Sequence, residues 1–252
     1  MTTSSASASL LATYQRAAGL PGLQVVGIDC HIGSQITQVA PYLDALDRVL
    51  DLVEAVEAAG IAIHHVDVGG GLGITYTDET PPAADALIAA LLAKIDARGH
   101  GRRELLFEPG RSLVGNAGVL LTEVMYLKRG DQKNFCIVDA AMNDLMRPAM
   151  YGAWHDFDAV KPSGDRMMAH IVGPICETGD TFAMGRECDA LKAGDLAVFR
   201  TAGAYGATMA SSYNSRGFVA EVLVDGDRFA VVADRIEAGA IMDAERVPEW
   251  LA

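Results

Sequence analysis

Between residues 39 and 56, Val39, Leu43, Leu46, Val49, Leu50, Val53 and Val56 recur at spacings of three and four. That period puts every apolar side chain on one stripe of a helix, and Gly60 marks its end. A second helix is predicted over Ala83 to Arg98, with Leu87, Leu91 and Ile95 as its stripe. The segments between these helices read differently. "LQVVGIDC" (Leu23–Cys30), the run Ile61–Val68 and "ELLFEPG" (Glu104–Gly110) are short and mostly apolar, the pattern of strands buried on both faces. Strand, helix, strand, helix, strand predicts a parallel sheet with helical crossovers. The Gly, His and Glu residues of chemical interest follow the C-terminal ends of those strands, where α/β folds build their sites. Ahead of all this, "MTTSSASAS" (residues 1–9) has no core-forming side chains and reads as a disordered leader. Leu10 to Gly19 reads as a short helix closed by "LPG".

From Val114 the alternation stops. "GVLLTEVMYLKRG", "KNFCIVDA", "DLAVFRT" and "FVAEVLVDGDRFAVVAD" are strand-like, and the last reads as a hairpin turning at "DGD". "AERVPEWL" suggests a short closing helix. Two domains are therefore expected, an α/β part over 10–112 and a mostly antiparallel β part over 113–252.

Composition narrows the function. The 252 residues carry a net charge of −13, and the short pair Arg102-Arg103 forms no basic patch, which excludes nucleic acid and anionic membrane as natural partners. Four cysteines without C-x-x-C spacing or a disulfide framework fit a reducing, cytoplasmic setting, and no apolar run reaches membrane length. The acidic run Asp44, Asp47, Asp51, Glu54 and Glu57 reads as the solvated face of the first long helix, His64 and His65 as ordinary histidines, and Cys30, Cys136 and Cys188 as small core or surface thiols.

The stretch "HHVDVGGGLGITY" (His64–Tyr76) has its own logic. A turn stripped of side chains exposes backbone amides, and phosphate is their usual guest. No Gly-Lys-Ser/Thr follows, and Gly69, Gly71 and Ile74 miss the dinucleotide fingerprint, so the familiar nucleotide loops are excluded.

Six stretches in fixed order then carry a resemblance. "GIDCHIGSQ" (27–35), "DVGGGLGI" (67–74), "EPGRSLVGNAG" (108–118), "MNDLMRPAMYGAWH" (142–155), "GPICETGD" (173–180) and "GAYGATMASSYNSR" (203–216) together resemble the diaminopimelate decarboxylases. The resemblance implies the C-terminal portion of a (β/α)8 barrel that binds pyridoxal 5'-phosphate, followed by a mostly antiparallel β domain. It implies decarboxylation of meso-diaminopimelate to L-lysine. Such a cofactor needs a dianion site, a partner for its pyridine nitrogen and a contact on the ring face. Gly69, Gly70 and Gly71 offer amides to the phosphate, with Gly71 the most direct; Ser34 and Tyr205 add hydroxyls, and Gly110 lies in the Glu-Pro-Gly-Arg turn. Glu108 would hold the pyridine nitrogen protonated, and His31 would lie on the ring. Arg111 has a fork suited to phosphate or carboxylate. For the substrate, the resemblance assigns Arg147 to the distal carboxylate, Tyr151, Arg111 and Tyr205 to further contacts, and Glu177 to the distal ammonium. Cys176 would be the proton donor to the carbon that carbon dioxide leaves; a thiol, mostly protonated at neutral pH, suits a general acid. No metal is implied. A homodimer with shared active sites is.

The family's cofactor-bearing lysine lies on an early barrel strand, in a stretch resembling Tyr-Ala-x-Lys-Ala-Asn ahead of the histidine motif. Lys94, Lys128, Lys133, Lys161 and Lys192 have other surroundings and none is assigned that role. Three parallel strands do not close a barrel, so the chain alone is expected to be poorly soluble or to need a complementing N-terminal fragment. Two alternatives differ in kind: a non-catalytic decarboxylase-like partner protein, and a decarboxylase of another basic amino acid. "RPAMY" and the glutamate after Cys176 favour diaminopimelate over both. Gly217, where the family usually has proline, and Ala141, where glycine is common, are minor departures.

Overall fold

The computed structural model describes residues 3–251, which divide into two compact units, Met1–Leu113 and Val114–Ala252. The first opens with helix α1 (Thr3–Ala18), so the segment expected to be a disordered leader is helical from Thr3, while Met1 and Thr2 lie outside the described residues. Its physical basis is twofold: alanine is the best helix former, and Leu11 and Tyr14 dock on the core of this unit, giving the helix a face to bury.

Strand β1 (Gly27–Asp29), helix α2 (Ala40–Ala58), strand β2 (His65–Asp67), helix α3 (Ala84–Ala97), strand β3 (Glu104–Leu106) and the short helix α4 (Gly110–Val114) follow. The three strands form a parallel sheet in the order β1-β2-β3, with Ile28 opposite Val66 and Val66 opposite Leu105. The stripe foreseen on α2 is the core: Leu46, Leu50, Val53 and Val56 are at most 1% exposed and pack with Val66, Leu87, Leu91 and Ile95. Each such burial is worth about 1.5–3 kcal/mol. The strands are shorter than expected, with Ile28 and Val66 buried at their centres. Leu23 and Val26, ahead of β1, are exposed and Leu105 is half-buried; among the described residues β1 and β3 each have one neighbour in the sheet.

The acidic face of α2 is not merely solvated. Asp47 pairs with Lys94 and Arg98, Asp51 and Glu54 also meet Arg98, and Glu57 meets Arg103 at 2.6 Å, tying α2 to the C-terminal end of α3 and the turn before β3.

The second unit contains β4 (Leu120–Lys128), β5 (Phe135–Val138), helix α5 (Arg147–Tyr151), β6 (Phe157–Ala159), β7 (Arg166–Val172), β8 (Thr181–Asp189), β9 (Leu196–Phe199), β10 (Glu221–Asp225), β11 (Arg228–Ala233) and helix α6 (Ala238–Met242). Six strands form one sheet, β6-β9-β4-β5-β7-β8, antiparallel except for the β5–β7 pair. The two ends of that order are linked, since Ala159 N–H donates to the Asp189 carboxylate at 2.9 Å. Phe199 lies inside, 4.9 Å from Phe157 and 4.3 Å from Phe182 between ring centroids. The hairpin β10–β11 turns at Gly226 (φ +63°), as "DGD" predicts, and forms its own two-stranded sheet. "AERVPEWL" forms only a single helical turn at Glu249–Leu251. Strands β6, β7 and β8 were not foreseen. "RMMAHIV" carries apolar side chains on both faces, so its alternation is visible only in burial: Ala169 and Ile171 are buried and Met168 is exposed.

Candidate functional site

In the first unit the site is made of loops leaving the C-terminal ends of β1, β2 and β3. The glycine loop after β2 is zipped to the loop after β1. Ile36 N–H donates to Gly71 O at 2.8 Å and Gly73 N–H to Ile36 O at 3.0 Å. The Gln35 side chain completes the zip, its amide nitrogen donating to Ile74 O at 2.6 Å and its oxygen accepting from Ile74 N–H at 3.1 Å. That two-point grip holds Gln35 at φ +57°, a region costly for a side-chain-bearing residue.

The glycines are dictated by close approach. Gly69 (φ +71°) sits so that a Cβ would lie 2.6 Å from Cys30 O. A Cβ on Gly70 would overlap Glu108 O, and one on Gly71 (φ +92°) would overlap Gly33 O. Side-chain-free backbone is therefore a packing requirement here. The three amides have different fates. Gly69 N–H donates to Asp67 Oδ1 at 2.8 Å and Gly70 N–H to His31 Nδ1 at 3.3 Å. Gly71 N–H has no acceptor among the described residues. The Gly69 and Gly70 amides, expected to face an anion, have partners within the protein in this structure. Gly70 also anchors the loop, its carbonyl accepting from Tyr42 Oη–H at 3.2 Å.

Ser34, the residue after Gly33, is paired with Arg111. The Arg111 Nη2 donates to Ser34 Oγ at 2.9 Å, Nη1 donates to Tyr76 Oη, and the guanidinium carbon lies 5.7 Å from the Tyr76 ring centroid. Gly110, at the start of α4, donates its N–H to Glu108 O at 2.9 Å and shapes the turn between Glu108 and Arg111. Glu108 is exposed, and its carboxylate oxygens approach those of Asp29 and Asp67, ligand atoms of all three lying within 4.8 Å of one another. His31 is exposed, with Nδ1 engaged as an acceptor.

These residues fit pyridoxal phosphate. The Gly71 amide, which has no acceptor among the described residues, the Ser34 hydroxyl and the Arg111 guanidinium fork are donors of the kind a dianion requires. Three carboxylates nearby suit a protonated ring nitrogen.

In the second unit, Cys176 and Glu177 sit on the exposed loop between β7 and β8, with Glu177 Oε1 accepting from Gly179 N–H at 3.0 Å. The residue that builds this loop is Asp180, which is 2% exposed. Its Oδ1 accepts from Met142 N–H and its Oδ2 from Ile175 N–H, each at 2.7 Å. Its own N–H donates to Glu177 O, and its carbonyl accepts from Gly173. Burial raises the carboxyl above its ordinary pKa, against the pull of those two amides. One buried carboxylate thus joins the "MNDL" turn to the Cys-Glu loop. A second junction runs from Asn143 to the segment bearing Tyr205: Asn143 Nδ2 donates to Ser211 O at 3.1 Å and Ser211 N–H to Asn143 O at 3.0 Å. Asp144, likewise raised by burial, accepts from Ala141 N–H at 2.8 Å and faces Arg216 at 3.6 Å.

Tyr205 is held at φ +60° and is 41% exposed. Tyr151, at the end of α5, is exposed. Arg147, at the start of α5, is buried, with Nη1 3.0 Å from Nε2 of buried His155. Asp180 and His155 end two of the sequence motifs, yet nothing in the motifs alone singles them out. Gly217, where a proline was anticipated, packs its Cα against Ile236 O with no room for a Cβ.

Known proteins are similar to this chain. Residues 11–203 match the family described as pyridoxal-dependent decarboxylase, C-terminal sheet domain. The diaminopimelate decarboxylase of Pseudomonas fluorescens is 56% identical over 216 residues, 85% of this chain and 51% of that protein. That of Pseudomonas aeruginosa is 56% identical over 219 residues, 86% and 52% respectively. Among solved structures, diaminopimelate decarboxylase from M. jannaschii in co-complex with L-lysine superposes with a TM-score of 0.89 at 34% identity, covering 96% of this chain and 57% of that one. The chain spans about half the length of the curated relatives it matches.

Proposed function

The chain belongs to the pyridoxal-dependent decarboxylase family, and on that footing we propose that it carries the cofactor-phosphate seat and the substrate-recognising segment of a decarboxylase that turns meso-diaminopimelate into L-lysine and carbon dioxide. The observation that carries the reading is the set of groups on the loops after the parallel strands: the Gly71 amide, which has no acceptor among the described residues, the Arg111 fork on Ser34 Oγ, and the clustered carboxylates of Asp29, Asp67 and Glu108. In the proposed division, residues 10–112 bind the cofactor and 113–252 recognise substrate and deliver the proton.

Bound there, pyridoxal phosphate supplies an electron sink for the pair left when the carbon–carbon bond breaks. The protein's part is orientation and proton transfer. Gly71, Ser34 and Arg111 would hold the phosphate. Glu108 would keep a proton on the ring nitrogen, with Asp67 and Asp29 beside it. His31, whose Nδ1 accepts from the Gly70 amide, would contact the ring. Arg147, Tyr151 and Tyr205 take the distal carboxylate, and Glu177 the distal ammonium. The Cys176 thiol gives its proton to the carbon that has lost carbon dioxide and regains one from solvent. The proposal includes a homodimer and a cytoplasmic setting. In support of the latter, all four cysteines are free thiols and no described helix is long and apolar enough to cross a membrane.

Titrating pyridoxal phosphate into the chain, followed by absorbance, tests the phosphate seat. Saturable binding that inorganic phosphate competes away and that Arg111→Ala weakens by at least about tenfold, one lost charge-assisted contact, is the expected result. Binding indifferent to both would remove the seat from this loop.

A further inference from the structure

Arg147 opens a helix of only five residues. Pro148 sits in its first turn and Gly152, at φ +61° in the left-handed region, ends it, so the chain doubles back and delivers His155 to the guanidinium it left eight residues earlier. The imidazole is 2% exposed and both ring nitrogens are committed, Nε2 to Arg147 Nη1 at 3.0 Å and Nδ1 to Arg200 O at 2.9 Å. A guanidinium only donates and a carbonyl only accepts. Nε2 must therefore present its lone pair and Nδ1 must carry the proton, which fixes one neutral tautomer. The backbone around the ring is held too, since Arg186 Nη1 donates to His155 O while its guanidinium stacks on Trp154 at 3.6 Å.

We propose that His155 is the positioning residue for Arg147: a neutral acceptor that aims the guanidinium at the substrate's distal carboxylate without cancelling its charge, an inference that rests on the decarboxylase reading above. A carboxylate in that place would orient Arg147 equally well, but it would neutralise the charge the substrate needs. Imidazole supplies the orientation alone. Its neutrality is enforced: burial pushes the His155 pKa down to about 4, the Arg147 and Arg186 charges adding to the effect and the Arg200 carbonyl opposing it.

The two nitrogens can be separated by substitution. His155→Asn keeps a donor near the Nδ1 position, for Arg200 O, and is too short to reach Arg147. His155→Gln keeps an acceptor near the Nε2 position. In each folded variant two quantities are measured: the rate at which phenylglyoxal modifies Arg147, mapped by mass spectrometry on the chain itself, and KM and kcat for meso-diaminopimelate in the decarboxylating assembly. The expected result for His155→Asn is Arg147 labelling at least about threefold faster and KM raised about tenfold, the cost of one charge-assisted hydrogen bond, with kcat within about twofold. His155→Gln should stay near wild type in both. If His155→Asn does not fold, His155→Gln decides alone: protected Arg147 and unchanged KM support the role, and their loss overturns it. Wild-type labelling and KM in a folded His155→Asn protein also overturn it. An Arg147→Ala protein with unchanged KM would refute the substrate role of Arg147, and labelling would still decide whether His155 positions it.

Discussion

Replacing Asp180 by asparagine tests how the Cys176–Glu177 loop is built. The carboxylate is 2% exposed and accepts two backbone N–H groups at 2.7 Å, one on each oxygen. Asparagine retains one oxygen and turns an NH2 toward the other donor. One charge-assisted bond is lost, about 1.5–3 kcal/mol, and a buried N–H is left without an acceptor, about 1–3 kcal/mol. Part of this is offset because asparagine carries no charge to desolvate, and that desolvation is large enough to raise the wild-type carboxyl's pKa. A net loss of about 2–3 kcal/mol remains. For a unit of this size that lowers the melting temperature by roughly 6–10 °C. Thermal melts followed by circular dichroism measure it, and hydrogen exchange should show the Met142 and Ile175 amides losing protection together. A variant melting within about 1 °C of wild type, or keeping both amides protected, would refute the clamp.

Gly70→Ala places a Cβ against the Glu108 carbonyl, a backbone atom that cannot swing away; overpacking of this kind costs about 1–3 kcal/mol, and absorbance titration should show pyridoxal phosphate binding weakened at least about tenfold. The second unit should also lose stability as pH falls from 7 to 5. His155 titrates at about 4 when folded, below its ordinary 6.5, so between those values the unfolded chain takes up a proton that the folded one refuses. The loss from this group is up to about 2 kcal/mol over that interval. Asp144 and Asp180, raised by burial, act oppositely, gaining stability as pH falls through their raised values. Urea unfolding of wild type and His155→Gln isolates the histidine: wild type should lose more stability than the variant, and equal losses would contradict a buried neutral imidazole.

The parts of the fold legible in the sequence are those whose signal is local. Helices α2 and α3 follow their apolar stripes to within two residues, and the β10–β11 turn follows its Asp-Gly-Asp. Strands β7 and β8 escaped because apolar side chains sit on both faces, and β1 and β3 came out short because coverage depends on neighbours that no local pattern reveals. The site divides in the same way. Motif order pointed to the glycine loop, Glu108, Arg111, Arg147 and Cys176. Which acceptor takes each amide was not legible, since His31 and Gly70 are 39 residues apart and Met142 and Asp180 are 38 apart. Asp180 and His155 look ordinary as letters and acquire their roles only through burial.

The central claim is tested most directly by supplying the half of the Pseudomonas aeruginosa relative that this chain does not span and measuring, by mass spectrometry, the product formed from meso-diaminopimelate with pyridoxal phosphate present. The account predicts L-lysine and carbon dioxide in equal amounts, with formation lost when Cys176 is replaced by alanine. A folded, cofactor-loaded assembly that leaves diaminopimelate untouched, or that decarboxylates ornithine or arginine instead, would contradict it.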